Sequence, residues 1–397
     1  MTDKEYFCTA PWTSLYLEPD GDVKFCCISK QAIGNVHKES LDSIINGSKV
    51  RQIKAKMLAN EPIDNCIACW RQVPEKRLQN FFNTRYIDFE KFPELNTDWF
   101  ANENNFRPKY LDLRWNNTCN FACIYCSPSL SSLWADIEQH EKIGAPIPIK
   151  PNRQIKQQIL TWTLENIEEV DWIYLAGGEP LMIKENLAVL ARLHEVSPEC
   201  QILVNTNLSH VDGNEVFKTI KKFKNVKWLV SGEAFREQYE YIRWPGKWSE
   251  FYKNLRTLKT LENQGHSVVF NLVGMNLNAI SMWDYIDFLR RENLLTRDID
   301  IAINLYNSRD SKHQWAIQRL PDAMKNKIRD RISSGSYEKI HGLANYIDAL
   351  DDPIPIDENG KNSLTDTVEW LKKLDAMRGL DSTSVFPEIY ECQKQLL

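Results

Sequence analysis

Residues 110–126 read Tyr-Leu-Asp-Leu-Arg-Trp-Asn-Asn-Thr-Cys-Asn-Phe-Ala-Cys-Ile-Tyr-Cys, an apolar run followed at once by Cys119, Cys123 and Cys126. The run 110–115 reads as a strand. The C-x3-C-x2-C spacing therefore falls on the loop leaving a strand's C-terminal end, where barrel enzymes place their chemistry. Three thiolates are one short of a closed metal site. They can each hold one iron of a cubic iron–sulfur cluster, leaving the fourth iron open for a small chelating ligand. An open coordination position separates a reactive metal site from a structural one. A zinc knuckle is the alternative; it wants a fourth Cys or His nearby, and His140, fourteen residues past Cys126, is the closest candidate.

Outward from this segment, apolar strands alternate with helical patterns. Strands are expected over 110–115, 171–176, 201–206, 226–231, 266–274 and 299–305, and helices over 183–196, 213–223, 248–263 and 280–292. Near-continuous apolar runs suit parallel strands covered on both faces. Repeated β–α units imply a right-handed, mostly parallel sheet. The pattern fits an open doubly wound sheet as well as an incomplete barrel. The long first crossover, 127–169, carries a loop at 144–149 that either caps the barrel mouth or is a passive insertion. The tail from about residue 307 is helical and polar, and is expected to pack against the barrel. Its clearest helix spans 364–378, with Val368, Leu371, Leu374 and Met377 at three-residue steps and Gly379 just past its end. The stretch 351–357 is an acidic, proline-punctuated loop.

The chain of 397 residues is 43% apolar and 26% charged, an ordinary globular balance with room for a barrel core and a smaller unit. A net charge of −5 gives no global reason to bind nucleic acid. The basic run 221–227 reads as the solvated end of a helix entering a strand. No stretch approaches the apolar length needed to cross a bilayer, and the N-terminal Met-Thr-Asp-Lys-Glu-Tyr lacks the apolar core of a signal peptide. Ten cysteines favour metal binding over a disulfide framework, so a reducing cytoplasm is the expected location. Cys200 and Cys392 stand alone and read as small hydrophobes.

Five cysteines lie in the first 69 residues. Cys8 is followed by twelve residues, Gly21, four residues and Cys26, and Cys66-Ile-Ala-Cys69 comes later. Glu18-Pro-Asp-Gly21 is a turn signal between Leu15-Tyr-Leu17 and Val23-Lys-Phe25, hence a hairpin. A cysteine on each arm plus the C-x2-C supplies four thiolates, suited to zinc or to a fully ligated iron–sulfur cluster. Cys27, next to Cys26, is an alternative ligand or a free thiol. Further on, Tyr174-Leu-Ala-Gly-Gly-Glu-Pro-Leu181 follows the second strand. Gly177 and Gly178 let the backbone approach a neighbour closely, and Glu179-Pro180 fixes an acceptor beside them. Asn205 and Asn207 end the third strand facing the mouth. Ser231-Gly-Glu233 follows the fourth strand with polar side chains two apart, a spacing that shares one side of an extended segment. Arg243 lies in Tyr241-Ile-Arg-Trp-Pro-Gly246.

The cysteine triad, followed one strand later by Gly-Gly-Glu-Pro, resembles the radical S-adenosylmethionine (SAM) superfamily. The resemblance implies an α/β fold: a partial (β/α)6 TIM-like barrel over 109–306, a small N-terminal hairpin and helix domain over 1–80, a linker over 81–108 and a helical extension over 307–397. It also implies a [4Fe-4S] cluster on Cys119, Cys123 and Cys126 whose open iron is chelated by the amino and carboxylate groups of SAM. Reductive cleavage there gives a 5′-deoxyadenosyl radical that takes hydrogen from a substrate.

By the same match, backbone around Gly177 and Gly178, with Glu179 and Pro180, holds the methionine ammonium. Ser231 and Glu233 contact the ribose, although family members often carry Asp at the latter position. Arg243 pairs with the SAM carboxylate, an ordinary ion pair being its alternative. Tyr125 flanks the adenine, and Asn205 and Asn207 bind SAM or substrate. The N-terminal spacing resembles the twitch or SPASM domain, implying one auxiliary [4Fe-4S] cluster on Cys8, Cys26, Cys66 and Cys69. Here the domain precedes the barrel, whereas in better-known members it follows.

The expected reaction is a net oxidation of a small polar molecule, the auxiliary cluster accepting an electron and a flavodoxin or ferredoxin supplying one. Peptide modification is the alternative substrate branch. A non-catalytic zinc-binding protein and a cluster-free SAM methyltransferase are the competing classes.

Overall fold

The computed structural model describes residues 6–67, 95, 97–142, 152–306, 314–352 and 364–396. Cys69, the loop 144–149 and residues 353–357 lie outside the described residues. One nine-stranded sheet organises the chain, in the order β3-β2-β1-β4-β5-β6-β7-β8-β9. Its strands are β1 (Ser14–Leu17), β2 (Asp22–Lys24), β3 (Gly34–Asn35), β4 (Tyr110–Leu113), β5 (Trp172–Leu175), β6 (Gln201–Thr206), β7 (Val226–Ser231), β8 (His266–Gly274) and β9 (Ile301–Leu305).

From β4 to β9 every pairing is parallel, with helices such as Glu185–Val196, Trp248–Lys259 and Ser281–Arg291 in the crossovers. These are the expected strands within two residues at each end. The outward residues Leu111, Leu113, Ile173, Leu175, Ile202 and Val204 are fully buried beneath the helices, which is why their sequences read as apolar runs.

The hairpin forms as expected, with Gly21 at φ 87° closing the turn between antiparallel β1 and β2. Its placement was not legible in the sequence. β1 pairs in parallel with β4, Ser14 to Leu17 opposite Tyr110 to Leu113, so the N-terminal unit extends the barrel sheet. All four residues of β1 are buried, and this double-sided burial rewards the docking.

The register defines the inner face. Tyr16, Asp112, Tyr174 and Leu203 sit opposite one another along one row. The two-residue repeat of strands then places Asn205, Leu229, Ser231, Asn271, Val273 and Asn304 on that same face. Apolar residues face the helices and a largely polar set faces inward.

The tail packs on the barrel, as expected. Val368, Leu371 and Leu374 of the helix Leu364–Arg378 are buried, and Gly379 follows at φ 63°.

Candidate active site

The cysteine loop after β4 is held from several sides. Ala122 N–H donates to Trp244 O at 2.7 Å, and Ile124 N–H to Ile242 O at 2.9 Å. Ser132 Oγ accepts from Cys119 N–H, and the Trp134 indole donates to Cys123 O at 2.7 Å. Asn117 Nδ2 donates to Pro128 O at 2.7 Å. The tail contributes too: Trp315 Nε1 donates to Ile124 O at 3.1 Å, and Arg378 Nη2 to Ala122 O at 2.7 Å. A loop whose carbonyls and amides are answered this way presents its thiols in a fixed arrangement.

The Gly-Gly-Glu-Pro turn packs directly on that loop. Gly178 has φ 47°, and a Cβ there would meet Thr118 O at 2.1 Å; Gly177, at φ 75°, would meet Arg114 Cβ at 2.7 Å. Glycine is therefore demanded by close approach and backbone conformation together. Glu179 N–H donates to Thr118 O at 2.7 Å. The Glu179 carboxylate is fully buried and accepts from Thr206 Oγ1 and Asn207 N–H, each at 2.7 Å, and from Leu181 N–H at 3.1 Å. Burial pushes its pKa up to about 7 against those hydrogen bonds. As placed, Glu179 ties the turn to the end of β6, and Pro180 is buried behind it.

The other expected contacts fall into two groups. Asn207 is drawn to the cysteine loop, where Nδ2 donates to Asn120 Oδ1 at 3.1 Å and lies 3.9 Å from Cys119 Sγ. Tyr125, Glu233 and Arg243 converge in a buried cluster. Tyr125 Oη donates to Glu233 Oε1 at 2.9 Å, Arg243 Nη1 pairs with Glu233 Oε2 at 2.9 Å, and Arg243 Nη1 also reaches Tyr125 Oη. Ser231 instead remains on the inner face, 3.5 Å from Asn205 Oδ1. Ser231 and Glu233 thus have different described partners, and Glu233 lies beyond the end of β7 at Ser231.

Burial raises all three thiols. Cys119 is pushed well up by burial and then by Cys123, and Cys126 to about 12 by the same two causes. Cys123 is raised by burial, with the charges of Arg243 and Arg378 opposing. Bare thiolates would be costly here, and a coordinated metal reverses that preference by deprotonating its ligands.

The donor set fits a cluster better than a single zinc ion. Among the described residues, the only group of three His, Cys, Asp or Glu ligand atoms within 4.8 Å of one another is Glu18, Asp20 and Asp22. Zinc at ~2.3 Å from each sulfur would need thiolates about 3.8 Å apart. A cube that gives each thiolate its own iron wants a wider spread. His140 is exposed near the end of the helix Ser132–Glu141 and joins no such group with the cysteines.

The second constellation sits at the sheet edge. Cys8, Cys26 and Cys66 are half-buried, and Cys27 is exposed. Cys8 adjoins an aromatic cluster in which Phe7 and Trp12 ring centres lie 5.5 Å apart and Trp12 and Phe100 6.0 Å apart. Cys66 ends the short helix Asp64–Cys66, whose Asn65 clips the loop after Cys26: Gln31 N–H donates to Asn65 Oδ1 at 2.6 Å, and Asn65 Nδ2 to Gln31 O at 3.1 Å.

Two features of the inner face went unread in the sequence. Asp112 and Arg114 form a bidentate pair at 2.9 and 3.1 Å, with the guanidinium 4.5 Å from the Tyr16 ring centre and 5.8 Å from that of Tyr174. An amide chain crosses β6, β8 and β9: Asn304 Nδ2 donates to Asn271 Oδ1 at 2.6 Å, and Asn271 Nδ2 approaches Asn205 Oδ1 at 3.4 Å. The signal was there, as polar residues at alternate positions in otherwise apolar strands.

Residues 114–289 match the radical SAM superfamily, and residues 8–70 match the SPASM iron–sulfur cluster-binding domain. The chain belongs to the radical SAM superfamily. Cys119, Cys123 and Cys126 lie in the radical SAM segment, and Cys8, Cys26 and Cys66 in the SPASM segment.

Among relatives, a GTP 3′,8-cyclase of Nautilia profundicola is 29% identical over 98 residues, 25% of this chain and 27% of that protein. Mouse (Mus musculus) molybdenum cofactor biosynthesis protein 1 is 30% identical over 117 residues, 29% of this chain and 16% of that protein. The chain thus spans about a quarter or less of these relatives' lengths. Among solved structures, Streptococcus suis SuiB bound to precursor peptide SuiA is similar at 15% identity and a TM-score of 0.38, over 76% of this chain and 62% of that one. The anSMEcpe enzyme with bound AdoMet is similar at 14% identity and a TM-score of 0.36, over 50% of this chain and 51% of that one. Among the described residues, no helix is long and apolar enough to cross a membrane.

Proposed function

We propose that this enzyme abstracts a hydrogen atom from an extended peptide segment laid along the inner face of the barrel. When bound, the cluster and SAM supply the 5′-deoxyadenosyl radical that performs the abstraction. Cys119, Cys123 and Cys126 would hold that cluster. The backbone of the Gly177–Gly178 turn, with Ser231, would border SAM, while the inward amides Asn205, Asn271 and Asn304 would hold the substrate.

The amide chain carries the substrate reading. Asn205, Asn271 and Asn304 cross three strand intervals, about 14 Å at ~4.8 Å each. That stripe is longer than one sugar or aminocyclitol ring. Side-chain amides both donate and accept, as peptide groups do. The three amides of the stripe are uncharged and the Asp112–Arg114 pair is internally neutralised, so among these residues nothing selects for a strongly ionic small molecule. Lys227, on the same face, lies at the opposite end of β7 from Ser231. On this reading Asn304, exposed at the far edge, receives the segment, and the pairing of Tyr16 with Asp112 keeps the auxiliary side of the face closed to water. Cys8, Cys26, Cys66 and Cys69 would hold the auxiliary cluster, which would take up the electron left when the substrate radical loses a proton.

The test is incubation of reconstituted enzyme with reductant, SAM and deuterated cell extract split into peptide and small-molecule fractions. Deuterium entering 5′-deoxyadenosine from the peptide fraction is the expected result. Transfer from the small-molecule fraction alone returns the substrate to the small polar class.

A further inference from the structure

Among the described residues, a largely desolvated cation in the C-terminal extension makes no ion pair. Arg378 closes the helix Leu364–Arg378. Its Nε and Nη1 are buried and have no hydrogen-bond partner among the described residues. Nη2 donates to Ala122 O, in the cysteine loop and adjacent to Cys123. The guanidinium lies 5.0 Å from the Trp134 ring centre and 5.1 Å from that of Trp244. Both rings belong to the loop's frame: Trp134 donates to Cys123 O, and Trp244 O accepts from Ala122 N–H. Asp375, on the same helix, takes hydrogen bonds from Tyr241 Oη at 2.8 Å and from Ser382 and makes no ion pair with Arg378, acting on it only through space. The other buried arginine nearby, Arg243, is already neutralised by Glu233.

A desolvated cation without a contacting counter-charge is strongly unfavourable, and aromatic faces and the non-contacting Asp375 offset only part of that cost. The counter-charge has an obvious source. Three thiolates on an iron–sulfur cube leave the assembly net negative, and more negative once reduced. The net charge around such a cluster is one of the terms that set its potential.

We propose that Arg378 is the counter-charge of the SAM-binding cluster: a positioning residue, supplied by the C-terminal extension, that fastens the cysteine loop and stabilises the cluster's reduced state. The extension therefore takes part in the chemistry without touching substrate. This inference rests on the cluster assignment and is independent of the substrate reading.

Full-length Arg378→Met and Arg378→Lys proteins test it, each compared with the parent without and with the cluster. Without the cluster, Arg378→Met should melt at or above the parent temperature, because an unpaired buried cation has gone. With the cluster, the same variant should lose iron from the SAM-responsive cluster to a chelator several-fold faster. The electron paramagnetic resonance titration of that cluster should move to a more negative potential. Arg378→Lys, which keeps the charge without the planar fork, should stay near the parent potential. Equal destabilisation of both forms by the methionine variant would mark Arg378 as ordinary packing and overturn the proposal. So would parent-like iron loss in Arg378→Met, or a lysine variant as impaired as the methionine one; that last comparison applies even if Arg378→Met folds poorly.

Discussion

The two cysteine regions are built to different standards. Around Cys119, Cys123 and Cys126, partners arrive from β5, β6, the segment after β7 and the C-terminal helix, and most are buried. Cys8, Cys26 and Cys66 are half-buried, as Cys119 and Cys126 are. The hydrogen bonds described around those three stay within the N-terminal unit: Ser29 N–H to Cys26 O, Cys66 N–H to Ile63 O and the Asn65 clip on Gln31. A site that must hold an open iron against a reactive ligand needs its thiolates held in place from several directions. A cluster ligated on all sides is held by its own four bonds and asks less of its surroundings. The described partners thus come from across the parallel sheet and the tail at one region, and from within the N-terminal unit at the other.

The sharpest way to break this comparison is to remove thiols from each region in turn. Cys119→Ala/Cys123→Ala/Cys126→Ala protein should form no 5′-deoxyadenosine above background, and should lose the SAM-perturbed resonance signal. Cys8→Ala/Cys26→Ala protein should lose auxiliary iron yet still cleave SAM without turning over substrate, within a few-fold of the parent rate. If both variants stop SAM cleavage equally, the regions are not functionally distinct.

The next test concerns the buried ion pair. Removing one partner of Glu233–Arg243 leaves the other charge stranded, so Glu233→Ala should cost about 3–5 kcal/mol in denaturant unfolding of the cluster-free protein. A loss below about 1 kcal/mol would place the pair among solvated ones.

A glycine pair then measures the tightness of the cysteine loop. Gly178→Ala combines a left-handed backbone with a Cβ driven into Thr118 O, and should cost about 3 kcal/mol. Gly213, at φ 71° with nothing within 4 Å of a built Cβ, should cost about 1 kcal/mol for the same change. Equal losses would show that Thr118 yields and that the turn is not pressed against the loop.

The smallest effect is a pH slope. Glu179 has a raised folded pKa, about 7 against an ordinary 4.5. The folded state then binds more protons than the unfolded one between those values. Stability from this group is fully present below about pH 4.5 and is lost as pH rises towards 7, by ~2–3 kcal/mol in all. Glu179→Gln should flatten that segment of the stability profile in cluster-free protein. An unchanged profile would assign the slope to other groups.

What the sequence disclosed follows the range of the interactions. The strands β4 to β9, the hairpin and the helix ending before Gly379 were legible because apolar period, turn residues and glycine act over a few positions. The ordered motifs likewise marked Cys119, Cys123 and Cys126. The Arg378 hydrogen bond to Ala122 joins residues 256 positions apart, and no local pattern announces such a pairing. Glu179 and Asn207 stood out in the sequence, but the hydrogen-bond partners of their side chains did not. Which of several nearby donors a buried carboxylate accepts from is decided by packing. The alignment of β1 beside β4 was hidden for the same reason: a four-residue apolar strand carries no record of its neighbour.

That alignment has a consequence for how the molecule may be divided. The barrel has no finished border at β4, since the backbone there is satisfied by the hairpin. A truncated form beginning near residue 100 would bare a row of unpaired amides and carbonyls along β4, inviting strand-to-strand clumping. The hairpin that follows Cys8 and precedes Cys26 therefore travels with the parallel sheet as one hydrogen-bonded piece, and its spacing from the Cys119–Cys126 loop is set by backbone rather than by a tether.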